Sequence, residues 1–163
     1  MKYSIPANTK IGHVHLKVAN LDRSLKFYCD ILGFSVKQRI KDQVAFIAAG
    51  NYHHHIGLNT WESKNGSPPA LGTTGLYHTA IIYPTRKDLS QIYKRLNEHH
   101  IELTGAADHG VSEALYLNDP DQNGVELYWD KPEKLWPYDN KGDRKSTRLN
   151  SSHSQQSRMP SSA

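Results

Sequence analysis

The chain is short of several things, and each shortage excludes something. One cysteine, Cys29, stands among 163 residues, so no disulfide can close within the chain, and a cytoplasmic location is the expectation. No apolar run approaches the ~20 residues needed to cross a bilayer. The opening stretch, MKYSIPANTK, has no hydrophobic segment of the kind a secretion signal carries. The net charge is +4, but Lys and Arg are scattered, and several (Lys141, Arg144, Lys145, Arg148, Arg158) fall near the C-terminus. No basic stripe alternates with aromatics, so neither a nucleic acid nor a membrane is an expected partner.

Hydrophobic residues make up 37% of the chain, and the deficit is local. Residues 145–163, KSTRLNSSHSQQSRMPSSA, have almost no apolar side chain. Such a segment cannot bury enough surface to offset its ordering entropy, so disorder is expected. It also reads as translated cloning or sequencing-adapter sequence rather than native protein. Residues 133–144 form an extension in which Leu135, Trp136 and Tyr138 are expected to pack back on the body.

The rest of the chain, residues 1–132, reads as one domain built from two copies of a unit. In the first, residues 10–62, Ile11 to Val18 alternates apolar and polar residues as a strand does. Asn20 is placed to cap a helix with Leu21, Leu25, Tyr28 and Leu32 on one face, ended by Gly33. Strands follow at Phe34 to Ile40, Val44 to Ala48 and His54 to Thr60. A stretch rich in Gly and Pro, Glu62 to Gly75, marks a boundary. In the second unit, residues 75–132, the order restarts with a strand at Leu76 to Tyr83. A helix capped by Thr85, with Asp88 three residues on, comes next. Strands at Ile101 to Leu103, Ala114 to Leu117 and Val125 to Trp129 complete it. The expectation is an α+β fold of two tandem βαβββ modules, forming a half-open, barrel-like mixed sheet around a metal site.

The duplication makes certain residues equivalent. His13 and His78 are each the third residue of the first strand of their unit. Glu126 lies in the last strand of the second unit, and its counterpart in the first is Gly57. A strand that buries Val125 and Leu127 turns Glu126 to its other face, where a lone carboxylate is costly to desolvate unless a positive group meets it. One histidine on a strand is ordinarily a core or surface residue. Two at matching positions, with a carboxylate at a third, point to a metal. Two imidazoles and one carboxylate with open positions suit non-haem Fe(II), with Mn(II) as an alternative, and do not exclude Zn(II).

Around these three, His15 shares the strand face of His13, where it could line the pocket or compete as a ligand, and His55 shares a face with Gly57. His109 and Tyr116 are candidates for acid–base work and for donating to a bound anion; a loop histidine and a half-buried strand tyrosine account for them equally well. His15 and Tyr128 are read as substrate-binding, and His55 as catalytic with His109 and Tyr116. Cys29 has no assigned role.

At this point a family becomes visible. IGHVHLKVANLDRSLKFYCDILGF and DPDQNGVELYWD resemble the paired modules of the vicinal oxygen chelate superfamily, which includes glyoxalase I, extradiol dioxygenases and bleomycin-binding proteins. YHHHIGLNTW and DHGVSEALYLNDP resemble its catechol 2,3-dioxygenase-like branch. The resemblance implies His13, His78 and Glu126 as ligands of a divalent metal, Fe(II) before Mn(II), Ni(II) or Zn(II). It implies a tyrosine ten residues before the glutamate ligand, here Tyr116, on a substrate oxygen, with His109 near it. The partners implied are a small aromatic diol and dioxygen, and a homodimer is expected of such paired-module chains. Two alternatives share the scaffold: a glyoxalase-like lyase, isomerase or thiol transferase, and a metal-free drug-binding protein. Glyoxalase I uses a fourth ligand from the position held here by Gly57, which counts against the lyase.

Overall fold

Alternating residues in the first strand of each half place one set of side chains toward a helix and the other toward an open sheet face. In the computed structural model, which describes residues 2–138, this happens twice. The chain divides into two compact units, Met1–Ser67 and Pro68–Ala163. The disorder and non-native origin read for 145–163, and residues 139–144 of the extension, lie outside the described residues; of the three residues expected to pack back, Trp136 donates its indole N–H to the Lys131 carbonyl at 2.7 Å, while Leu135 and Tyr138 are exposed.

Unit one consists of β1 (Val14–Lys17), α1 (Leu21–Leu25), β2 (Ser35–Ile40), β3 (Val44–Ala48) and β4 (Ile56–Asn59). Asn20 starts α1: its backbone is extended and its side chain accepts the Arg23 N–H at 3.0 Å. α1 widens into a π-helical turn, Lys26–Ile31, where the Leu32 N–H reaches the Phe27 carbonyl five residues back. Leu21, Leu25, Tyr28 and Leu32, read as one helical face, are all buried. Leu16, Ile47, Ile56 and Leu58 of the sheet are buried as well and make up the rest of the unit's core. Strand order is β1-β4-β3-β2, with β1 parallel to β4 and the rest antiparallel. β2 is exposed along its whole length, and its Lys37 and Arg39, with a bulge at Val36/Gln38, suit it to an uncovered edge.

Unit two repeats the plan with β5 (His78–Ile82), α2 (Arg86–Glu98), β6 (Gly105–Asp108), β7 (Ser112–Asn118) and β8 (Gly124–Asp130), in the order β5-β8-β7-β6. Thr85 caps α2, its hydroxyl oxygen accepting the Asp88 N–H at 3.1 Å. Leu89, Ile92 and Leu96 of α2 are buried, as are Leu117, Val125 and Leu127 of the sheet it packs against. Each such leucine taken out of water contributes roughly 1.5–3 kcal/mol. Each unit is therefore α+β with an open, mixed four-stranded sheet, and neither sheet closes on itself.

One strand was misplaced by the sequence pattern. Ile101 to Leu103 is not a strand. The Ile101 N–H instead returns to the Leu96 carbonyl, closing the end of α2, with His100 in the left-handed region at φ 55°. The edge strand is β6, whose backbone pairs with β7 from Gly105↔Tyr116 to Asp108↔Glu113.

Candidate active site

In unit two, β8 is the central strand of the site. Val125 and Leu127 face the helix, so Gly124, Glu126 and Tyr128 face the other way. Glu126 pairs with Ala80 of β5 on one side and with Tyr116 of β7 on the other, and Gly124 pairs with His78. The result is a connected row of polar groups. His78 Nε2 lies 3.0 Å from Glu126 Oε2. The Tyr116 hydroxyl donates to Glu126 Oε1 at 3.0 Å, and His109 Nε2 is 2.8 Å from the same hydroxyl. A phenol has one proton. Since it goes to Glu126, the hydroxyl oxygen accepts from His109, which then carries its proton on Nε2.

Two local devices hold this row. Gly124 lets β5 come close: a Cβ there would run into the Tyr77 carbonyl oxygen and lie 3.0 Å from the His78 Cβ. The β7–β8 turn is tied by Asp119, which is 1% exposed. Its Oδ1 accepts the N–H groups of Asp121 and Asn123 at 2.8 Å each, and its Oδ2 accepts from the Asn123 amide at 2.9 Å. This turn fixes the register that sets Tyr116 directly across from Glu126.

The electrostatics follow from burial. The Tyr116 hydroxyl is held well above the usual phenol range, first by burial and then by its bond to the Glu126 carboxylate. It stays protonated at neutral pH and acts as a donor. Tyr128, two residues beyond Glu126 on the same strand face, is raised for the same first reason, with Asp130 and Glu126 adding to it. His78 Nδ1 is buried and has no hydrogen-bond partner among the described residues, while Nε2 is the nitrogen presented to Glu126. A cavity of about 450 Å³ within unit two reaches from His78 and Tyr116 past Asn118 and Gly124 to Leu71 and Leu76.

Unit one has the same register with different side chains. Gly57 pairs with His15 on β1 and with Phe46 on β3, as Glu126 pairs with Ala80 and Tyr116. Counting two residues back from His15 and from Ala80 makes His13 the positional equivalent of His78. The His13 ring lies 4.5 Å, centre to centre, from that of His54, which also packs on Phe46 at 4.9 Å. His53 Nδ1 lies 2.7 Å from His54 Nδ1. His15 packs on Phe46 and on Trp61. His15 and His54 are both held below the ordinary imidazole value, first by burial and then by His13.

His55 stands elsewhere. Its Nδ1 accepts the Ala49 N–H at 3.3 Å, and its ring packs on Tyr52. Sequence reading passed over His54, and the cause is visible. Bends at His53 and His55 interrupt the alternation just before β4, so counting back from Gly57 selects His55. Among the described residues, no group of three or more His, Cys, Asp and Glu side chains is gathered as a metal site.

The family model for the glyoxalase/bleomycin resistance protein/dioxygenase superfamily matches residues 10–127. The chain belongs to this superfamily. A catechol-2,3-dioxygenase of Bacillus subtilis is 43% identical over 86% of this chain and 48% of its own length. A biphenyl-2,3-diol 1,2-dioxygenase of Rhodococcus globerulus is 33% identical over 79% of this chain and 69% of its own. The chain thus spans about half the length of the first of these relatives. The crystal structure of a lactoylglutathione lyase from Agrobacterium tumefaciens superposes with a TM-score of 0.61 at 21% identity, over 82% of this chain and all of that one, a likeness of fold.

Superfamily membership and the dioxygenase relatives imply a divalent metal, and the polar row of unit two fits one. Adjacent ligands around an ion at ~2.1 Å stand about 3 Å apart when they meet it at right angles. His78 Nε2 and Glu126 Oε2 have that separation. An imidazole nitrogen and a carboxylate oxygen are donors that Fe(II), Mn(II) and Zn(II) all accept.

Proposed function

We propose that this superfamily member is a metal-dependent enzyme of the extradiol type, which opens the ring of a catechol-like diol with dioxygen. The observation that carries the reading is the row His109–Tyr116–Glu126–His78, in which one carboxylate oxygen faces an imidazole and the other is held by a phenol. His78 and Glu126 would hold the metal with His13 as third ligand, the residue that duplication makes equivalent to His78. Fe(II) is the metal that suits two imidazoles, one carboxylate and oxygen chemistry. When bound, it would supply adjacent open positions for the two diol oxygens and for dioxygen.

The chain's own residues then do the following. Tyr116, kept protonated and donating to Glu126, accepts on its remaining lone pair from a diol hydroxyl. His109 keeps that hydroxyl oriented. His54, whose depressed basicity leaves it neutral at pH 7, can take a proton from the incoming diol. This role was read for His55 from alternation; the contact of His54 with His13 favours His54. Tyr128 and His15 line the faces that carry Glu126 and His13. A homodimer and a cytoplasmic location accompany this reading, with no nucleic-acid partner.

The test is reconstitution with Fe(II) under anaerobic conditions, then addition of catechol and air. A yellow ring-fission product that His78→Ala abolishes supports the proposal. Consumption of the methylglyoxal–glutathione hemithioacetal, with no product from diols, would replace it with a lyase.

A further inference from the structure

Unit one carries a histidine cluster that the reaction proposed above does not exhaust. Residues 52–55, YHHH, run between β3 and β4, with bends at His53 and His55. Regular alternation would send His53 and His54 to opposite faces. The bends let their rings meet instead. His53 Nδ1 lies 2.7 Å from His54 Nδ1, and the rings stand edge to face, 4.5 Å between centres.

Further aromatic contacts hold both rings in place. Tyr52 packs against His53 at 4.1 Å, with the ring planes 35° apart. His54 packs against Phe46 at 4.9 Å and against His13 at 4.5 Å. His53 is exposed and His54 half-buried, so one ring faces water while the other is anchored on the unit.

The short nitrogen–nitrogen distance has a plain account: one ring keeps its proton on Nδ1 and donates it to the other. An exposed pair gains little from that bond, because water serves the same nitrogens. The spacing suits something else. Two nitrogens ~2.0 Å from an ion stand about 2.8 Å apart when they meet it at right angles, and about 3.3 Å apart at the tetrahedral angle. The observed separation is the right-angled one, which tetragonal Cu(II) and Ni(II) adopt. Imidazole suits both, and Cu(II) binds a given nitrogen site most tightly of the divalent first-row metals. The exposed His53 ring can turn, which lets both lone pairs meet one ion rather than each other. The shared proton then passes to Nε2 of the ring that held it, and both imidazoles stay neutral.

We propose that His53 and His54 form a two-imidazole seat for a tetragonal divalent cation, Cu(II) first and Ni(II) second. Water fills the remaining positions, in keeping with the absence of a three-residue metal group among the described residues. The seat lies wholly within unit one and uses neither His78 nor Glu126, so it does not rest on the metal site proposed above.

The test is titration of the full, metal-free chain with Cu(II) by calorimetry, carried out in His78→Ala so that the other site does not compete. One Cu(II) is expected to bind at micromolar concentration, with two imidazole nitrogens resolved by electron paramagnetic resonance. Adding His53→Ala should weaken binding by about 10-fold or more and leave one nitrogen on the ion. A cooperative melt checks that this variant folds. Adding His99→Ala instead, which breaks the adjacent histidine pair at the end of α2, should leave affinity and spectrum unchanged. Unchanged binding in the His53→Ala variant, an equal loss in the His99→Ala variant, or a parent spectrum with fewer than two nitrogens would overturn the proposal. Failure of the site read under the proposed function shows elsewhere: the wild type would then bind no more ions than His78→Ala does.

Discussion

The Tyr116 hydroxyl stands 3.0 Å from Glu126 Oε1, and the two residues are directly opposed across the β7–β8 ladder. Their ten-residue separation in the chain is set by the turn that Asp119 ties. A phenol in this position steadies the carboxylate and remains available to a substrate. Tyr116→Phe should therefore lower kcat/KM for a catechol by about 10- to 100-fold, the usual worth of a hydrogen bond to a charged group. Metal content should stay unchanged, and steady-state kinetics with metal analysis checks both.

Gly124→Ala tests how β5 is brought to β8. The added methyl meets the Tyr77 backbone carbonyl, which has no rotamer by which to move away. Strand β5 must shift, and His78 with it. A loss of about 1–3 kcal/mol in urea unfolding is expected, with weaker metal binding. Wild-type stability and affinity in this variant would show that the close approach has no role.

Stability should fall at alkaline pH. Burial, then the charge of Asp88, pushes the Tyr83 hydroxyl up to about 12 from an ordinary value near 10. The folded state thus resists ionisation more than the unfolded chain does. The stability tied to this group is fully present below pH ~10 and is lost as pH rises toward 12, by roughly 2 kcal/mol. Tyr83→Phe should flatten that part of the pH–stability curve measured by chemical unfolding. An unchanged slope would mean that the hydroxyl is as hydrated in the folded state as in the unfolded one.

Asp119→Ala removes three hydrogen bonds from a turn whose carboxylate is nearly fully buried, leaving the N–H groups of Asp121 and Asn123 without their acceptor. A loss of about 2–4 kcal/mol is expected from those unpaired donors. Asp119→Asn should recover part of it, since an amide oxygen can still accept one or two of the bonds.

The duplicated plan was legible because its signals are local. Asn20 and Thr85 are caps with few alternative uses, and Val44 to Ala48 is a strand with the limits its composition suggests. Glu126 stood out because a carboxylate between Val125 and Leu127 must face away from the core. Strand β6 was not legible. GAAD carries no β-branched or aromatic residue, and it is a strand because β7 offers it a ladder, which is a tertiary fact. His54 was hidden by the bends beside it, which break the two-residue period that assigns faces. The His15 ring lies over Gly57, 2.9 Å from where a Cβ would stand, and was beyond reach for another reason: alternation tells which side a residue faces, not how far its side chain leans across to the next strand.

Metal stoichiometry is the most direct test of the central claim, that His13, His78 and Glu126 hold one divalent ion. Protein purified without oxygen and reconstituted with Fe(II) should carry one ion per chain. His13→Ala, His78→Ala and Glu126→Ala should each carry far less while keeping a cooperative melt. A wild-type protein that retains no ion, or a His13→Ala variant that binds as the wild type does, would contradict it.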